Sequence, residues 1–395
     1  APTPPDGVTA PVMRVAGADR PDAWRGVDAT GAIVLMDTSS LRAAALAFRH
    51  GAVGVLTDER GRPDADPAGY RFLNYTISPA AEPKGFGFGL THARGAQLRA
   101  ALDEHGDGNV HAHARVASRL YDGSLPAVTG LLPGESDEEI VLTGHLCEPG
   151  ANDNTSGPAL AVEVVRALGA MARAGSIPPL RRGIRLCHTY EVRGTNAYVN
   201  EHGAARNVVA GLNLDMVARR ETNHVFRTTP AHPAYTDALL LESLRLADPG
   251  VSAPAVRDHA FGLVDDNVFG EPLIGGPCVG LVQYQDRTWH TSSDTMKDID
   301  EEALRSNGIA AATYCAAIAC ARDDDALALA ALAAQDVTDR LNAAANSGSA
   351  CDTLRHMALQ GQRTVRSALA FVDGSEAAAR VEELGRRVAD MGPTT

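Results

Sequence analysis

Four short segments of this chain set histidine or acidic residues directly after apolar runs. The first is Thr143-Gly144-His145-Leu146-Cys147-Glu148-Pro149-Gly150-Ala151-Asn152-Asp153-Asn154-Thr155-Ser156-Gly157. His145 ends an apolar strand-like run, and Asp153 lies in the loop before the next helix. Gly150 and Gly157 allow the tight backbone path that brings them together. Glu191 follows Leu186-Cys187-His188-Thr189-Tyr190, Asp215 closes Leu212-Asn213-Leu214, and His290 opens His290-Thr291-Ser292-Ser293-Asp294. Neutral imidazoles and carboxylates are the ligands that a borderline divalent cation such as zinc takes. Asp215 among apolar neighbours would be costly unless paired or metal-bound. Any one of these reads equally well as a cap or turn; four at strand ends point to metal chemistry.

Positioning such groups requires alternating strands and helices. In the leading part, residues 1–30 are rich in Pro, Gly and Asp and read as irregular. Gly31–Asp37 predicts a strand, Ser39 caps a helix to about Phe48, and Ala52–Thr57 predicts the next strand. A helix at about 91–105 and a strand at Val110–Val116 follow. Further on, strands are expected at Glu139–Gly144, Gly183–Tyr190, Val208–Val217 and around Cys278–Tyr284. Helices are expected at Ser156 to about Arg173, from Gly194, at about 234–247, and from Asp300 to about Arg322. This alternation implies an α/β fold with a mixed, mostly parallel sheet and helices on both faces, whose ligands sit at the carboxyl ends of strands. The division is a leading segment and small α/β domain (1–124), a central domain (125–322), and a helical extension (323–395) expected to pack or to mediate a homodimer.

The chain has 395 residues and a net charge of -13, from 36 basic and 49 acidic residues. That excludes a nucleic-acid or anionic-membrane partner that needs a concentrated basic face. The longest nearly apolar stretch, Ile309 to Ala321, is too short for a bilayer. The six cysteines form no C-x-x-C pair, and five sit in apolar surroundings, which suggests reduced structural thiols and a cytoplasmic protein. The opening at Ala1 without Met leaves room for a removed leader as the alternative.

The order His145, Gly150-Ala-Asn-Asp-Asn-x-Ser-Gly157, Glu191, Asn213-x-Asp215-Met216 and His290-Thr-x-x-Asp294 resembles the co-catalytic di-zinc aminopeptidases, relatives of glutamate carboxypeptidase, the transferrin receptor and glutaminyl cyclases. The segment Gly31–Asp37, its alanine-rich helix and His50–Asp58 resemble the protease-associated domain, which would roof the substrate pocket. The first resemblance implies a zinc exopeptidase-like fold over 125–322, with Asp153 bridging two zinc ions. His145 and Asp215 would complete one ion, and Glu191 and His290 the other; a single zinc is the alternative. It also implies a cis peptide at Asp153-Asn154 and hydrolysis of a peptide or amide bond.

The chain departs from that pattern at one position. Members of the family carry two consecutive glutamates, the first a general base and the second a ligand; here the pair is Tyr190-Glu191. Glu191 is therefore either ligand or base, Glu148 and Asp266 are the substitutes at hand, and the Tyr190 phenol is a candidate donor to an oxyanion. Asp266, Tyr284 and Arg287 are candidate substrate contacts. His188 reads as a core residue, and His224, His232 and His259 as structural or surface. The implied activity is an aminopeptidase acting on short peptides, with an amide hydrolase or acyl transferase of a small metabolite, and an inactive binding scaffold, as alternatives.

Overall fold

The computed structural model describes residues 2–393 except 63, 73–84, 120, 204–206, 249–253, 258–263, 272, 275 and 285. It contains two compact units, Ala1–Ser124 with Gln285–Thr295, and Leu125–Tyr284 with Met296–Thr395.

Unit 1 contains β1 (Val8–Val15), β2 (Ile33–Met36), α1 (Leu41–Arg49), β3 (Gly54–Thr57), β4 (Phe86–Gly89), α2 (His92–His105) and β5 (His111–Ala114). Its sheet runs β4-β3-β2-β1-β5, parallel except for β5. The leading residues are thus not wholly irregular, because β1 lies between β2 and β5. Pro11 conceals this strand in the sequence, since proline is unfavourable inside a sheet. It is tolerated because pairing with β2 begins at Val12, one residue later, so no bond of that ladder is lost. Ser40 rather than Ser39 caps α1, its hydroxyl accepting the Ala43 N–H at 3.0 Å. Ala43, Ala44 and Ala47 are the buried face of α1. The Gln285–Thr295 segment is bound within this unit: Phe72 donates to the His290 carbonyl at 2.8 Å, and Ser292 donates to the Tyr70 carbonyl at 2.9 Å.

Unit 2 contains β6 (Val128–Leu132), β7 (Glu139–His145), α3 (Ser156–Arg173), β8 (Gly183–Thr189), α4 (Arg193–His202), β9 (Val208–Asp215), β10 (His224–Phe226), α5 (Thr236–Ala247), β11 (Ala255–Arg257), α6 (Asp266–Phe269), β12 (Cys278–Val282), α7 (Glu301–Ala319), α8 (Asp323–Asn346), α9 (Cys351–Arg366) and α10 (Ser375–Ala389). The sheet order is β11-β10-β12-β9-β7-β8-β6, and the central strands β12, β9, β7 and β8 are parallel. Strand alternation separates two cores. Ile140, Leu142, Leu212 and Leu214 face α3, α5 and α7, whereas Val141, Cys187 and Cys278 pack with Tyr198, Val199 and Phe269 on the α4–α6 side.

The C-terminal helices share the first of these cores. Ala330, Val337, Val365, Phe371 and Val388 belong to the same buried cluster as β7 and β9. Arg182, 1% exposed, fastens this region by donating to the Ala321 carbonyl at 2.9 Å and lying 4.4 Å above the Phe371 ring. Among the described residues no helix is long and apolar enough to cross a membrane.

Candidate metal centre

Because β9, β7 and β8 are adjacent and parallel, their carboxyl ends lie on one edge of the sheet. His145 ends β7, Asp215 ends β9, and Glu191 stands two residues beyond β8. Asp153 returns to this edge from the loop between β7 and α3. His145 Nε2 lies 3.2 Å from Asp153 Oδ1, and Nδ1 lies 4.0 Å from Glu191 Oε1. Donor atoms of His145, Asp153 and Asp215 lie within 4.8 Å of one another. All three residues are buried, and Asp215 Oδ1 has no hydrogen-bond partner.

The Gly-Ala-Asn-Asp-Asn-x-Ser-Gly run holds this arrangement by stitching the β7–α3 loop to the exit of β9. Asn154 Oδ1 accepts the Met216 N–H at 3.2 Å, Ser156 Oγ the Val217 N–H at 3.0 Å, and Asn152 Oδ1 the Ala218 N–H at 2.9 Å. Three side chains therefore receive three successive backbone donors, and Asp153 and Asp215 are held as one piece. Gly157 is required for the approach, because a Cβ there would stand 2.0 Å from the Leu214 carbonyl oxygen. The Asp153–Asn154 peptide is cis. Val192 and Met216, each directly after a site carboxylate, both have φ of 54°, an uncommon conformation for non-glycine residues that clusters at functional sites.

The electrostatics follow from packing several carboxylates around one imidazole. Burial pushes Glu191 up to about 7 and Asp153 up to about 6, against the opposing effect of His145. Burial likewise holds Asp215 well above the usual carboxylate range, with Asp153 and Glu191 adding to it. Burial disfavours the His145 imidazolium, yet Asp215, Asp153 and Glu191 outweigh it and keep its pKa well above the ordinary value. An excess of buried negative charge with a mixed N/O donor set suits a divalent cation such as zinc.

The remaining candidates fall in different places. The Tyr190 side chain is exposed, while its backbone carbonyl accepts the Gly194 N–H at 2.7 Å. Asp266 is 1% exposed, with Oδ1 3.4 Å from Asn213 Nδ2 and next to Gly280, so it offers no surface to a substrate. Its neighbour Asp265 bears on the Glu191 turn instead, accepting the Val192 N–H and the Thr195 hydroxyl. Tyr284 is partly exposed and meets Phe226 edge-on. Arg287 and His290 belong to unit 1, where Arg287 lies near Asp64 and Asp66, and the His290 ring stacks on Trp289 at 4.0 Å. His188 is buried and belongs to the core of unit 2; His259 lies outside the described residues.

Sequence reasoning passed over Cys147 as a structural thiol. It is half-buried and stands with Glu148 beside His145 and Glu191, and the His-x-Cys-Glu spacing immediately after a strand was the available signal. A cavity of about 280 Å³ lined by Arg227, Thr228, Asp237, His356 and Gln360 shares no residue with this cluster. Its Arg227 makes a two-pronged pair with Asp336 at 3.0 Å.

Residues 127–315 match the model of Peptidase family M28. Among solved structures, a peptidase M28 precursor from Shewanella amazonensis is similar at 17% identity and a TM-score of 0.59, with 80% of this chain and 75% of that chain covered. A zinc aminopeptidase from Bacillus subtilis is similar at 20% identity and a TM-score of 0.54, covering 80% and 76%. A peptidase from Clostridium acetobutylicum is similar at 23% identity and a TM-score of 0.52; 68% of this chain matches, and it spans 58% of that protein. These likenesses establish the fold. None of the curated proteins matches the chain.

Proposed function

Residues 127–315 constitute a peptidase family M28 domain, and from that premise we propose that the chain is a zinc-dependent hydrolase of peptide or amide bonds, acting as an aminopeptidase on short peptides. The observation that carries this reading is the meeting of His145, Asp153 and Asp215 at the carboxyl edge of β7 and β9, with an Asp215 oxygen buried and unpartnered. His145, Asp153, Asp215 and Glu191 would hold the metal, and the sequence motif assigns His290 as the fifth ligand; two ions are expected. When bound, zinc supplies a Lewis acid for the scissile carbonyl and a water of lowered pKa.

The chain's own groups do the rest. Asn152, Asn154 and Ser156 keep the two aspartates in fixed register, so little reorganisation accompanies the reaction. Glu191 lies within reach of His145 and serves as ligand or as proton acceptor. Tyr190, the exposed residue next to it, would donate a hydrogen bond to a developing oxyanion.

A second reading, hydrolysis or acyl transfer on a small amide metabolite, is favoured by one feature: Tyr190 stands where members of this family carry a glutamate base. Metal content per chain, measured by plasma mass spectrometry alongside hydrolysis of aminoacyl-nitroanilides, separates the two. About two zinc ions with turnover supports the aminopeptidase. Full metal with no turnover on any aminoacyl substrate moves the assignment to metabolite amides, and no metal removes both.

A further inference from the structure

We propose that Cys147 is a metal ligand, and that its thiolate forms a metal site with His145, Glu148 and Glu191 on the β8 side of the cluster. The proposal rests on the hydrolase reading only for the presence of a divalent ion. One donor atom from each of the four residues lies within 4.8 Å of the others. Tetrahedral zinc with bonds of about 2.0–2.3 Å sets its ligands roughly 3.3–3.8 Å apart, so shifts below about 1 Å would close the site.

Several observations separate Cys147 from the other thiols. Cys187, Cys278 and Cys315 are buried in apolar cores, and Cys320 donates weakly to the Pro178 carbonyl at the end of α7. Cys351 is exposed. Among the described residues, Cys147 alone of the six belongs to a group of ligand-type side chains. Without an ion, burial raises the Cys147 thiol above its ordinary pKa, against the opposing effect of the Glu191 backbone. His145 Nε2 meets Asp153, its Nδ1 lies 3.3 Å from Asn154 Nδ2 and 4.0 Å from Glu191 Oε1, and the buried, unpartnered Asp215 oxygen belongs to the group on the Asp153 side. The turn after β8 supplies a single carboxylate because Tyr190 precedes Glu191, and Cys147 with Glu148 raises the donor count there.

The ligand set has a chemical consequence. A thiolate with an imidazole and two carboxylates favours zinc or cobalt over manganese or magnesium, and binding releases the thiol proton to solvent. The test is to load the metal-free full-length protein with Co(II) and record the near-ultraviolet thiolate-to-cobalt charge-transfer band together with cobalt stoichiometry. The band is expected in the wild type and in Cys351→Ser, and it should vanish in Cys147→Ser. Bound cobalt without the band, or a band that persists in Cys147→Ser, overturns the ligand while leaving the hydrolase reading intact. No cobalt uptake removes both.

A second measurement needs no variant. Alkylation of Cys147 in the wild type, followed by peptide mass spectrometry, should slow about tenfold or more when zinc is restored, because a metal-bound thiolate is a poor nucleophile. Exposed Cys351 should react equally in both states and calibrates the comparison. Equal Cys147 rates with and without bound zinc would overturn the proposal.

Discussion

Asp265 holds Val192 from outside the turn that carries Glu191: its Oδ1 accepts the Val192 N–H at 2.7 Å and the Thr195 hydroxyl at 2.7 Å. Val192 has positive φ, so this β-branched residue keeps an unfavourable conformation with help from the carboxylate. Asp265 is 1% exposed, and its other oxygen has no hydrogen-bond partner. Both of these bonds are made to residues that directly follow Glu191 or lie in the first turn of α4. Asp265→Ala should lower kcat by about tenfold to a hundredfold with little change in KM, because misplacement of a reacting group by about 1 Å costs that much. Asp265→Asn retains an acceptor oxygen and should recover most of the loss. Equal loss in both variants would contradict a role confined to holding the turn.

Gly157 provides a backbone test of the same site. Its missing Cβ leaves room for the Leu214 carbonyl oxygen at 2.0 Å and Asn154 Oδ1 at 2.7 Å from where that atom would stand. The first neighbour is backbone, and the second is an amide held by hydrogen bonds to Leu214, Gly157 and Met216. Gly157→Ala should destabilise unit 2 by about 1–3 kcal/mol or more in urea unfolding and reduce metal content. Gly130→Ala, whose Cβ would meet only a Leu186 methyl at 3.8 Å, should leave metal content unchanged.

What was legible in the sequence and what was not divide along physical lines. The β7, β8 and β9 runs are apolar and end in polar residues, so both the strands and the acids at their ends could be read directly. The fold class followed from that alternation. Strands without such a signature escaped: β1, though eight residues long, is interrupted by Pro11, and β10 and β11 have three residues each. The roles of Asp265 and Asp266 were interchangeable in sequence, because adjacent residues at a helix start face different ways. Only packing shows that Asp265 meets the Val192 turn and Asp266 meets Asn213. The grouping of Cys147 with Glu148 and Glu191 was hidden for a related reason, since these residues come together only after β7 and β8 pair.

The assigned ligands can be separated from the base by metal counting. Asp153→Asn and His290→Ala should abolish hydrolysis and lower bound zinc, and full activity in either would remove that residue from the site. Glu191→Gln should be nearly inactive in either role. A loss of zinc in that variant makes Glu191 a ligand, whereas unchanged zinc with lost turnover makes it the proton acceptor.

His188 makes a prediction about acid stability that is independent of catalysis. It sits in β8 at 3% exposure, its Nε2 has no hydrogen-bond partner, and burial pushes its pKa down to about 4 from 6.5. The unfolded chain therefore binds a proton at this residue between about pH 6.5 and 4 while the folded chain does not. Stability from neutral His188 is complete above about pH 6.5 and is lost progressively as pH falls towards 4. In urea unfolding of the metal-free protein, the wild type should lose about 2 kcal/mol more than His188→Met between pH 7.5 and 5. Parallel losses in the two proteins would show that His188 becomes protonated in the folded chain as readily as in the unfolded one.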